Sequence, residues 1–395
     1  MTEDSCIYLD HHATTPLDPR VLEAMMPFLT TKFANAGSTS HEPGRVTKAA
    51  VDDARERVAH CLGCDANEII FTSGSTESNN LAIRGSAERA RRKGNHVVSA
   101  QTEHPAVLDP LERLSRLGVQ VSLLPVQLQS ESVPGLLDVE SFRAALRDDT
   151  FLASVMWANN EIGVIQPIHQ IAEICQSKGV TFHCDATQAV GKLPINLRAT
   201  SIELLSFSSH KFYGPKGVGA LFVRRKPKPV RLAPLIEGGG QEQGLRSGTL
   251  NVPGIIGLAA ALEIAIAEME VEQARLAQLR DQLFALLKHS IPDLQLNGPP
   301  LHSAHRLKAN LNLHFPGVAG ETIMLHTPRI AVSSGSACTS VNPEPSHVLL
   351  ALGRSAEEAQ SSLRIGLGRF TTAEEVARAA QLLCNSVLGL RHSSA

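Results

Sequence analysis

The sequence predicts an α/β protein with a mainly parallel sheet in a large domain, followed by a smaller C-terminal α/β domain. Short apolar segments alternate with longer amphipathic ones over about the first 250 residues, which is typical of a parallel sheet covered by helices. The chain has 395 residues, more than the roughly 250 to 300 at which one hydrophobic core stops growing. Apolar residues make up 43% and charged residues 19%, which is globular rather than disordered composition.

The expected elements follow from apolar periodicity along the chain. The strands of the large sheet are predicted at 69–72, 96–99, 119–124, 151–157, 181–184, 204–208 and 218–223. Helices are predicted at 45–62, 77–93, 108–117, 139–146 and 168–178, where apolar residues recur at three and four positions. A long helix begins at Pro253 and extends to Leu287. In the tail, strands at 310–315, 331–334 and 363–367 mix with helices near 345–352 and 374–390.

These elements divide the chain into three parts. Residues 1–252 form the expected large domain, and the segment 1–30 is expected to pack with the small domain. Residues 253–290 form the linking helix. Residues 291–395 form the small domain, which carries a loop around Cys338.

Charge and composition exclude several classes of partner. Lys and Arg number 37 against 39 Asp and Glu, so the basic surface that nucleic acids require is not expected. Residues 1–10 lack the layout of a signal or transit peptide. The apolar run 252–262 is followed by Glu263 and Glu268, which makes it too short for a bilayer crossing. We therefore expect a cytoplasmic protein with no membrane partner.

The cysteines do not predict a disulfide framework or a metal site. The chain has 7 cysteines, an odd number scattered over its length. Cys61 and Cys64 form one Cys-x-x-Cys pair, but Leu62 and Gly63 are typical of a helix end, and one pair cannot supply four zinc ligands. Free thiols and no resident metal are expected.

Two segments that follow predicted strands carry groups suited to binding a phosphate and a ring nitrogen. Ser75 and Thr76 open a helix after a strand, where free amides and the positive helix end hold anions, although a simple capping turn is an equal alternative. Asp185 stands at the end of an apolar strand, where open α/β sheets present ligand-binding groups. A carboxylate there keeps a pyridinium nitrogen protonated, although it is also a common helix cap.

A third segment offers an amine. Lys211 comes just after an apolar strand and before glycine-rich turns, beside Ser208 and His210. A lysine there can hold a carbonyl cofactor covalently, with the neighbouring side chains on its phosphate. A single lysine is more often a solvated surface charge, but these flanking segments argue against full exposure.

The motifs, taken in order, resemble those of cysteine desulfurases that serve iron–sulfur cluster and nitrogenase maturation. They are Asp10-x-x-Ala13-Thr14-Thr15-Pro16, Ser73-Gly74-Ser75-Thr76-Glu77-Ser78-Asn79, Thr102-Glu103-His104, Asn159-Asn160-Glu161-Ile162-Gly163, Asp185-Ala186-Thr187-Gln188, Ser209-His210-Lys211, Arg246-Ser247-Gly248-Thr249 and Ser333-Ser334-Gly335-Ser336-Ala337-Cys338-Thr339-Ser340. The resemblance extends from residue 7 to about residue 390. It implies the fold type I architecture of pyridoxal-phosphate-dependent aminotransferases, with the cofactor in the large domain.

The resemblance also implies a role for individual residues. Lys211 would carry pyridoxal phosphate, with His104 stacked on the ring. Asp185 would pair with the ring nitrogen, Gln188 with the phenolic oxygen, and Ser75, Thr76, Ser208 and His210 with the phosphate. Asn160 would lie near the ring, and Asn35, Asn160 and Arg364 would contact the substrate. Thr249 would reach the phosphate of the other subunit of a homodimer.

The reaction implied is conversion of L-cysteine to L-alanine, with the sulfur taken up by Cys338 as a persulfide for an acceptor or iron–sulfur scaffold protein. Cys338 could also ligate a scaffold's cluster transiently. Small residues and prolines around it predict a mobile loop, whereas a cysteine is more commonly a buried small hydrophobe. A selenocysteine lyase or cystine lyase of the same fold is the alternative, and it need not possess this loop. A noncatalytic protein would have little need for the Lys, Asp, Gln and His set.

Three features depart from the family pattern. Residues Asn35, Ala36 and Gly37 stand where Asn-Pro is usual, and His11 and His12 are unusual in their motif. A metal site at the two histidines is not expected, because adjacent residues in an extended chain point to opposite faces. The chain stops soon after its last predicted helix, so weak docking to scaffolds that grip an extended C-terminus is expected.

Overall fold

The core of the molecule is a seven-stranded sheet. A computed structural model describes residues 6–90, 94–334 and 344–393. The strands are β1 Ile7–Tyr8, β2 Ile69–Thr72, β3 His96–Ala100, β4 Gln120–Leu124, β5 Thr150–Ser154, β6 Thr181–Asp185, β7 Leu204–Ser208, β8 Gly219–Val223, β9 Gln295–Leu296, β10 Asn310–His314, β11 Ile330–Ala331 and β12 Ser362–Gly366. The order in the large sheet is β2-β8-β7-β6-β5-β3-β4.

Most of this sheet is parallel. Strands β7, β6, β5, β3 and β4 run parallel to one another, and β8 is antiparallel to both β2 and β7. The central strands β6 and β7 are buried apart from the first residue of β6, as expected of a sheet with helices on both faces, whereas the edge strand β4 is partly exposed. The carboxyl ends of the parallel strands therefore open on one edge of the sheet, where polar side chains can meet a ligand.

Helices connect the strands and cover the sheet. They are α1 Pro19–Thr30, α2 Glu42–Leu62, α3 Ser75–Ala90, α4 Pro105–Arg116, α5 Val139–Ala145, α6 Ile168–Lys178, α7 Val252–Ser290, α8 Gly320–His326, α9 His347–Ala351, α10 Ala356–Gln360 and α11 Ala373–Ser393. The α/β prediction is confirmed, and the predicted strands of the large sheet differ from the observed ones by a few residues at their ends.

A second, smaller core lies in the C-terminal part. Strands β12, β10 and β9 form an antiparallel sheet. The C-terminal half of α7 packs against this core through Leu276, Leu283 and Leu287, while Leu258 and Leu262 in its N-terminal half belong to the large core. The long helix thus spans both cores, as a linking helix would, and the division at residues 252 and 290 stays a prediction.

The N-terminal segment contacts both cores. Strand β1 pairs in parallel with β11, and Leu9 packs in the C-terminal core. Helix α1 instead packs on the large core through Val21 and Met25. Residues 9–13 therefore pass between the two cores, beside the carboxyl ends of the parallel strands.

Helix α7 is long and apolar enough to cross a membrane by length and composition. Most of its apolar stretch is buried inside the protein, as in the core helix of a globular domain, so this is weak evidence for a membrane span. Glu263 and Glu268 therefore do not by themselves make the apolar segment of α7 too short to cross a membrane. Its burial inside the protein is the stronger argument against a membrane span.

Candidate active site

A cavity of about 470 Å³ lies at the carboxyl ends of β3, β5, β6 and β7. Its wall contains Ser75, Thr76, His104, Asn160, Asp185, Gln188, His210, Lys211 and Arg364, all of which the sequence singled out. Residues His12, Glu103, Glu344 and His347 also line it. The fold thus brings groups from both halves of the chain around one space large enough for a cofactor and a small substrate.

One end of the cavity is suited to an anion. Ser75 and Thr76 occupy the first turn of α3, whose leading backbone amides have no acceptor within the helix. The preceding loop lies tightly against β8, because a Cβ on Gly219 would come within 2.7 Å of the Gly74 Cα. Ser208 is buried at the end of β7, beside this loop. These contacts fix the helix N-terminus at the cavity edge.

His210 lies beside this anion site. Its Nδ1 is 3.0 Å from the Thr14 Oγ1. Burial, together with the charge of Lys211, lowers the pKa of His210 to about 4. The imidazole is therefore neutral at neutral pH, and it offers an anion a hydrogen bond rather than a charge.

Asp185 is the last residue of β6 and is 5% exposed. Its Oδ2 accepts a hydrogen bond from Asn79 Nδ2 at 2.7 Å, and its Oδ1 accepts one from the Thr187 amide at 2.9 Å. These bonds orient the carboxylate. Asp185 can thus pair with a protonated ring nitrogen in the cavity.

Lys211 follows β7 in a short 3-10 turn, Ser209–Lys211. Its Nζ donates hydrogen bonds to the carbonyl oxygens of His12 at 2.9 Å and Ala13 at 2.6 Å. The amine is therefore held at the cavity wall by the N-terminal segment. It is the residue on this wall that can hold a carbonyl cofactor covalently.

His104 is the N-cap of α4, and its Nδ1 accepts a hydrogen bond from the Ala106 amide at 3.0 Å. Burial lowers the pKa of His104, and the charges of Lys211 and His347 act in the same direction. The neutral ring then carries its proton on Nε2. A neutral aromatic ring at this place is suited to stacking on a flat cofactor.

Arg364 comes from β12 and is 2% exposed. Its Nη2 donates to the Asp10 Oδ1 at 2.8 Å and to the Ser333 Oγ at 3.2 Å. Its Nε is buried and has no acceptor among the residues that the structure describes. An unpartnered guanidinium donor in the cavity wall is suited to a substrate carboxylate.

The sequence motifs include Glu103 without indicating a role for it, and they include neither His347 nor Lys192. Burial raises the pKa of Glu103 well above its usual value, which favours its neutral form. His347 Nε2 lies 2.9 Å from the Glu103 carbonyl oxygen. Lys192 is half-buried and donates from Nζ to the Gln188 Oε1 at 2.6 Å. The position of Lys192, one helical turn after Gln188 beyond a predicted strand, was the signal available in the sequence.

Some residues with expected roles do not line the cavity. Asn35 and Thr249 are exposed in the single chain, and the Asn35 Oδ1 accepts a hydrogen bond from the Gly37 amide at 2.9 Å. Cys338 lies outside the described residues. Ser333, which pairs with β12, and Glu344, which lines the cavity, stand on either side of the undescribed stretch 335–343.

Cys61 and Cys64 flank the end of α2, where Gly63 has φ of 66° and caps the helix as expected. Burial raises the pKa of Cys61 to about 11 and that of Cys64 to about 12. Both are protonated thiols at neutral pH, which does not favour redox reactivity.

The wall of the cavity fits the pyridoxal phosphate that the resemblance implies. The N-terminus of α3 lies at the end suited to an anion, the Asp185 carboxylate can pair with the ring nitrogen, and Lys211 supplies the amine. Buried polar atoms in this wall, Thr187 Oγ1, His12 Nε2 and Glu103 Oε2, have no hydrogen-bond partner among the described residues. Buried polar groups normally have partners, so these atoms favour a polar ligand in the cavity.

Comparison with known proteins agrees with this chemistry. Residues 7–379 match the model of the class V aminotransferase family. The chain is 50% identical over 388 residues to a cysteine desulfurase IscS of Anaeromyxobacter dehalogenans (strain 2CP-C), covering 98% of this chain and 94% of that protein. It is 49% identical to the IscS of Rickettsia conorii (strain ATCC VR-613 / Malish 7), with 98% and 92% covered. A solved NifS-like protein superposes with a TM-score of 0.89 at 36% identity, with 98% and 100% covered.

Proposed function

The chain belongs to the class V aminotransferase family and, within it, to the cysteine desulfurases, and from this premise we propose how its residues perform that reaction. The enzyme depends on pyridoxal phosphate and converts L-cysteine to L-alanine, with the sulfur passing to Cys338. The observation that carries the proposal is that Lys211, Asp185 and Arg364 line one cavity, although they come from distant parts of the chain.

The residues that would hold the cofactor lie around one cavity. Lys211 would carry it, His104 would stack on its ring, and Asp185 would pair with the ring nitrogen. Gln188 would bind the phenolic oxygen, while Ser75, Thr76, Ser208 and His210 would bind the phosphate. Support comes from the cavity, which places a helix N-terminus, a hydrogen-bonded carboxylate and an amine around one space.

The substrate carboxylate binds at Arg364, whose buried Nε has no acceptor among the described residues, and Asn160 lies near the ring. Asn35 is expected to contact the substrate, although it is exposed in the single chain. The ion pair with Asp10 holds the guanidinium in place at 2.8 Å.

Pyridoxal phosphate supplies an electron sink that stabilises negative charge on the substrate carbon to which it is joined. Lys211 removes the Cα proton, since its amine lies at the cavity wall where the substrate carbon would bind and, once released from the cofactor, can act as a base. Asp185 keeps the ring nitrogen charged, which favours that step. The carbonyl oxygens of His12 and Ala13 accept hydrogen bonds from the Lys211 amine, which keeps the amine close to the substrate.

Cys338 accepts the sulfur as a persulfide. The carbon–sulfur bond of cysteine breaks, a sulfur–sulfur bond forms on Cys338, and the proton of the Cys338 thiol compensates for the proton gained at Cβ of alanine. Cysteine and one protein thiol thus yield alanine and one protein persulfide. Cys338 lies outside the described residues. Glu344, just after that stretch, lines the cavity, and Ser333, before it, pairs with Arg364 of β12.

The enzyme acts with partners. A sulfur-acceptor or iron–sulfur scaffold protein receives the persulfide sulfur, and the working unit is a homodimer in which Thr249 reaches the other subunit's phosphate. The exposure of Thr249 away from the cavity of its own chain supports this assignment. We also propose a cytoplasmic location, in keeping with six free cysteines among the described residues.

The test is incubation of purified protein with L-cysteine and a thiol reductant, with alanine, sulfide and pyruvate all measured. The proposal predicts alanine and sulfide in equal amounts. Pyruvate and ammonia in place of alanine would indicate elimination instead. The relatives are cysteine desulfurases, which favours this activity over that of a selenocysteine lyase or cystine lyase. A kcat/KM for selenocysteine far above that for cysteine would instead indicate a selenocysteine lyase.

A further inference from the structure

The side chains of His12 and Lys192, which the mechanism does not use, both contact the carboxamide oxygen of Gln188. The Gln188 Oε1 accepts a hydrogen bond from Lys192 Nζ at 2.6 Å and lies 3.2 Å from His12 Nδ1. The Gln188 Nε2 donates to the carbonyl oxygen of His12 at 2.8 Å. His12 is 2% exposed and Gln188 is 3% exposed, so these contacts are shielded from water.

These contacts permit one orientation of the carboxamide. If it were flipped, its NH2 group would face the Lys192 amine, and its oxygen would face the His12 carbonyl oxygen. Because the Gln188 oxygen can only accept, the proton of the imidazole must be on His12 Nδ1. Burial lowers the pKa of His12 well below its usual value, and the charge of Lys192 adds to this, so the ring is neutral.

The imidazole of His12 fits because β12 carries glycine beside it. A Cβ on Gly366 would lie 2.7 Å from His12 Cδ2. The neighbouring His11 is accommodated in the same way, since a Cβ on Gly368 would lie 2.1 Å from its ring. His11 Nδ1 bonds to the Gly366 carbonyl oxygen at 3.0 Å instead of to Gln188. The two histidines lie in a turn rather than in the extended chain that the sequence argument assumed.

The second N–H of Gln188 Nε2 is the remaining polar group of this carboxamide. Its oxygen is occupied by Lys192 and His12, and its first N–H by the His12 carbonyl. Gln188 therefore presents a donor to the cavity. Burial, together with the charges of Lys211 and Arg364, lowers the pKa of Lys192 to about 7, and Glu272 acts in the opposite direction.

We propose that His12 and Lys192 are positioning residues that hold Gln188 with an N–H directed at the phenolic oxygen of bound pyridoxal phosphate. This inference rests on the cofactor site proposed above and deepens it. The two residues act through Gln188, and neither is required to touch the substrate.

The consequence is measurable in the resting enzyme. A donor at the phenolic oxygen matters most when the nitrogen that joins Lys211 to the cofactor is unprotonated, since the oxygen then lacks the hydrogen bond from that nitrogen. Loss of the donor penalises the unprotonated form. The pH midpoint of the cofactor's visible absorption change should then rise by roughly one unit, as expected for one hydrogen bond to a charged group.

The experiment is a pH titration of the visible spectrum of purified holoenzyme without substrate. His12→Leu removes the donor to Gln188, and we expect its midpoint to rise by roughly one unit. His12→Asn places an amide N–H where Nδ1 stood, so its midpoint should stay near that of the wild type. Because His12 is uncharged, this pair isolates the hydrogen bond from any change of charge. His11→Asn is the matched control and should leave the midpoint unchanged.

Lys192→Met removes the other hydrogen-bond donor to the Gln188 oxygen, and it is the variant to use if His12→Leu does not fold. It should also raise the midpoint, while Lys192→Gln, which keeps a donor, should raise it less. Wild-type midpoints in His12→Leu and Lys192→Met would overturn the inference, as would equal shifts in His12→Leu and His12→Asn. The two proposals can fail independently. If the wild type formed no alanine from cysteine, the proposed function would be wrong, whereas the titrations need no substrate and test the positioning of Gln188 alone.

Discussion

The two walls of the cavity hold their charged groups in different ways. On the sheet wall, formed by Asp185, Gln188 and Lys211, each residue lies at or just after the end of a parallel strand, and Asp185 is oriented by the nearby Thr187 amide and by Asn79 of α3. On the terminal wall, formed by His12 and Arg364, the Asp10–Arg364 ion pair joins residues that are 354 positions apart. The sheet wall is thus set mainly by the ends of neighbouring strands, and the terminal wall depends on contacts between the two ends of the chain.

This difference suggests a division of labour. The sheet wall offers groups suited to the cofactor, and the terminal wall offers the guanidinium suited to a substrate carboxylate. Lys211 and Gln188 are nevertheless held by carbonyl oxygens of the terminal wall, at His12 and Ala13. Substitutions on the sheet wall should therefore alter cofactor binding and chemistry, and substitution of Arg364 on the terminal wall should mainly alter substrate binding.

The largest effect is expected on the sheet wall at Lys211. Lys211→Ala should lower alanine formation by roughly 10⁴-fold or more, because it removes both the covalent link and the base. Borohydride reduction followed by peptide mapping should then find no cofactor attached to the chain. Lys48→Ala, at an exposed ion pair on α2, is the control and should behave as the wild type. A reducible link to the protein in Lys211→Ala would show that another lysine carries the cofactor.

A smaller loss is expected at Asp185. Asp185→Asn keeps the size of the side chain but loses the charge that holds the ring nitrogen protonated. We expect kcat to fall roughly 10²- to 10³-fold, as for loss of one electrostatic group aimed at developing charge. Cofactor content, measured by absorbance after alkaline release, should be largely retained. An unchanged kcat would mean that Asp185 does not face the ring nitrogen.

On the terminal wall, Arg364→Gln should act on substrate binding. Loss of a charge-assisted hydrogen bond lowers kcat/KM for L-cysteine by roughly 10- to 100-fold, mostly through KM. The resting visible spectrum should stay that of the wild type. Arg391→Gln, at an ion pair with Asp293 far from the cavity, is the matched control. If Arg364→Gln lost the cofactor while its KM stayed normal, the proposed division between the walls would be wrong.

The smallest effect concerns stability against acid. Burial lowers the pKa of His11, in the turn of the terminal wall, and of His210, beside the sheet wall, to about 4 each. Between about pH 6.5 and 4 the unfolded chain binds protons at these sites and the folded chain does not, so stability falls as the pH falls. Above pH 6.5 this contribution is complete. Each such histidine contributes a slope of up to about 1.4 kcal/mol per pH unit.

His11→Asn should therefore flatten the decline in the urea midpoint between pH 6.5 and 4.5, since asparagine does not titrate. Unfolding of the holoenzyme, followed by tryptophan fluorescence at several pH values, measures this. A decline as steep as that of the wild type would show that His11 is not an uncharged buried histidine in the folded state.

The sheet wall could be predicted from the sequence, and much of the terminal wall could not. Asp185 and Lys211 follow apolar strands, and the carboxyl ends of parallel strands meet at one edge, so their proximity follows from local patterns. Arg364 was assigned by family resemblance alone. The contact of His12 with Gln188 spans 176 residues and depends on the missing side chain of Gly366, which no periodicity reveals. Lys192 was not singled out from the sequence, because only the fold shows its contact with Gln188.

The central claim is that the cavity activates cysteine while Cys338 takes the sulfur, and Cys338→Ser tests it most directly. Serine preserves the size of the side chain but cannot supply a thiolate. The variant should fold and keep its colour, and addition of L-cysteine should still change the visible spectrum. Alanine release should fall by at least about two orders of magnitude with no persulfide on the protein, while Cys6→Ser, at an exposed cysteine, stays normal. Near-normal alanine and sulfide production by Cys338→Ser would contradict the account, because the sulfur would then leave cysteine without transfer to Cys338.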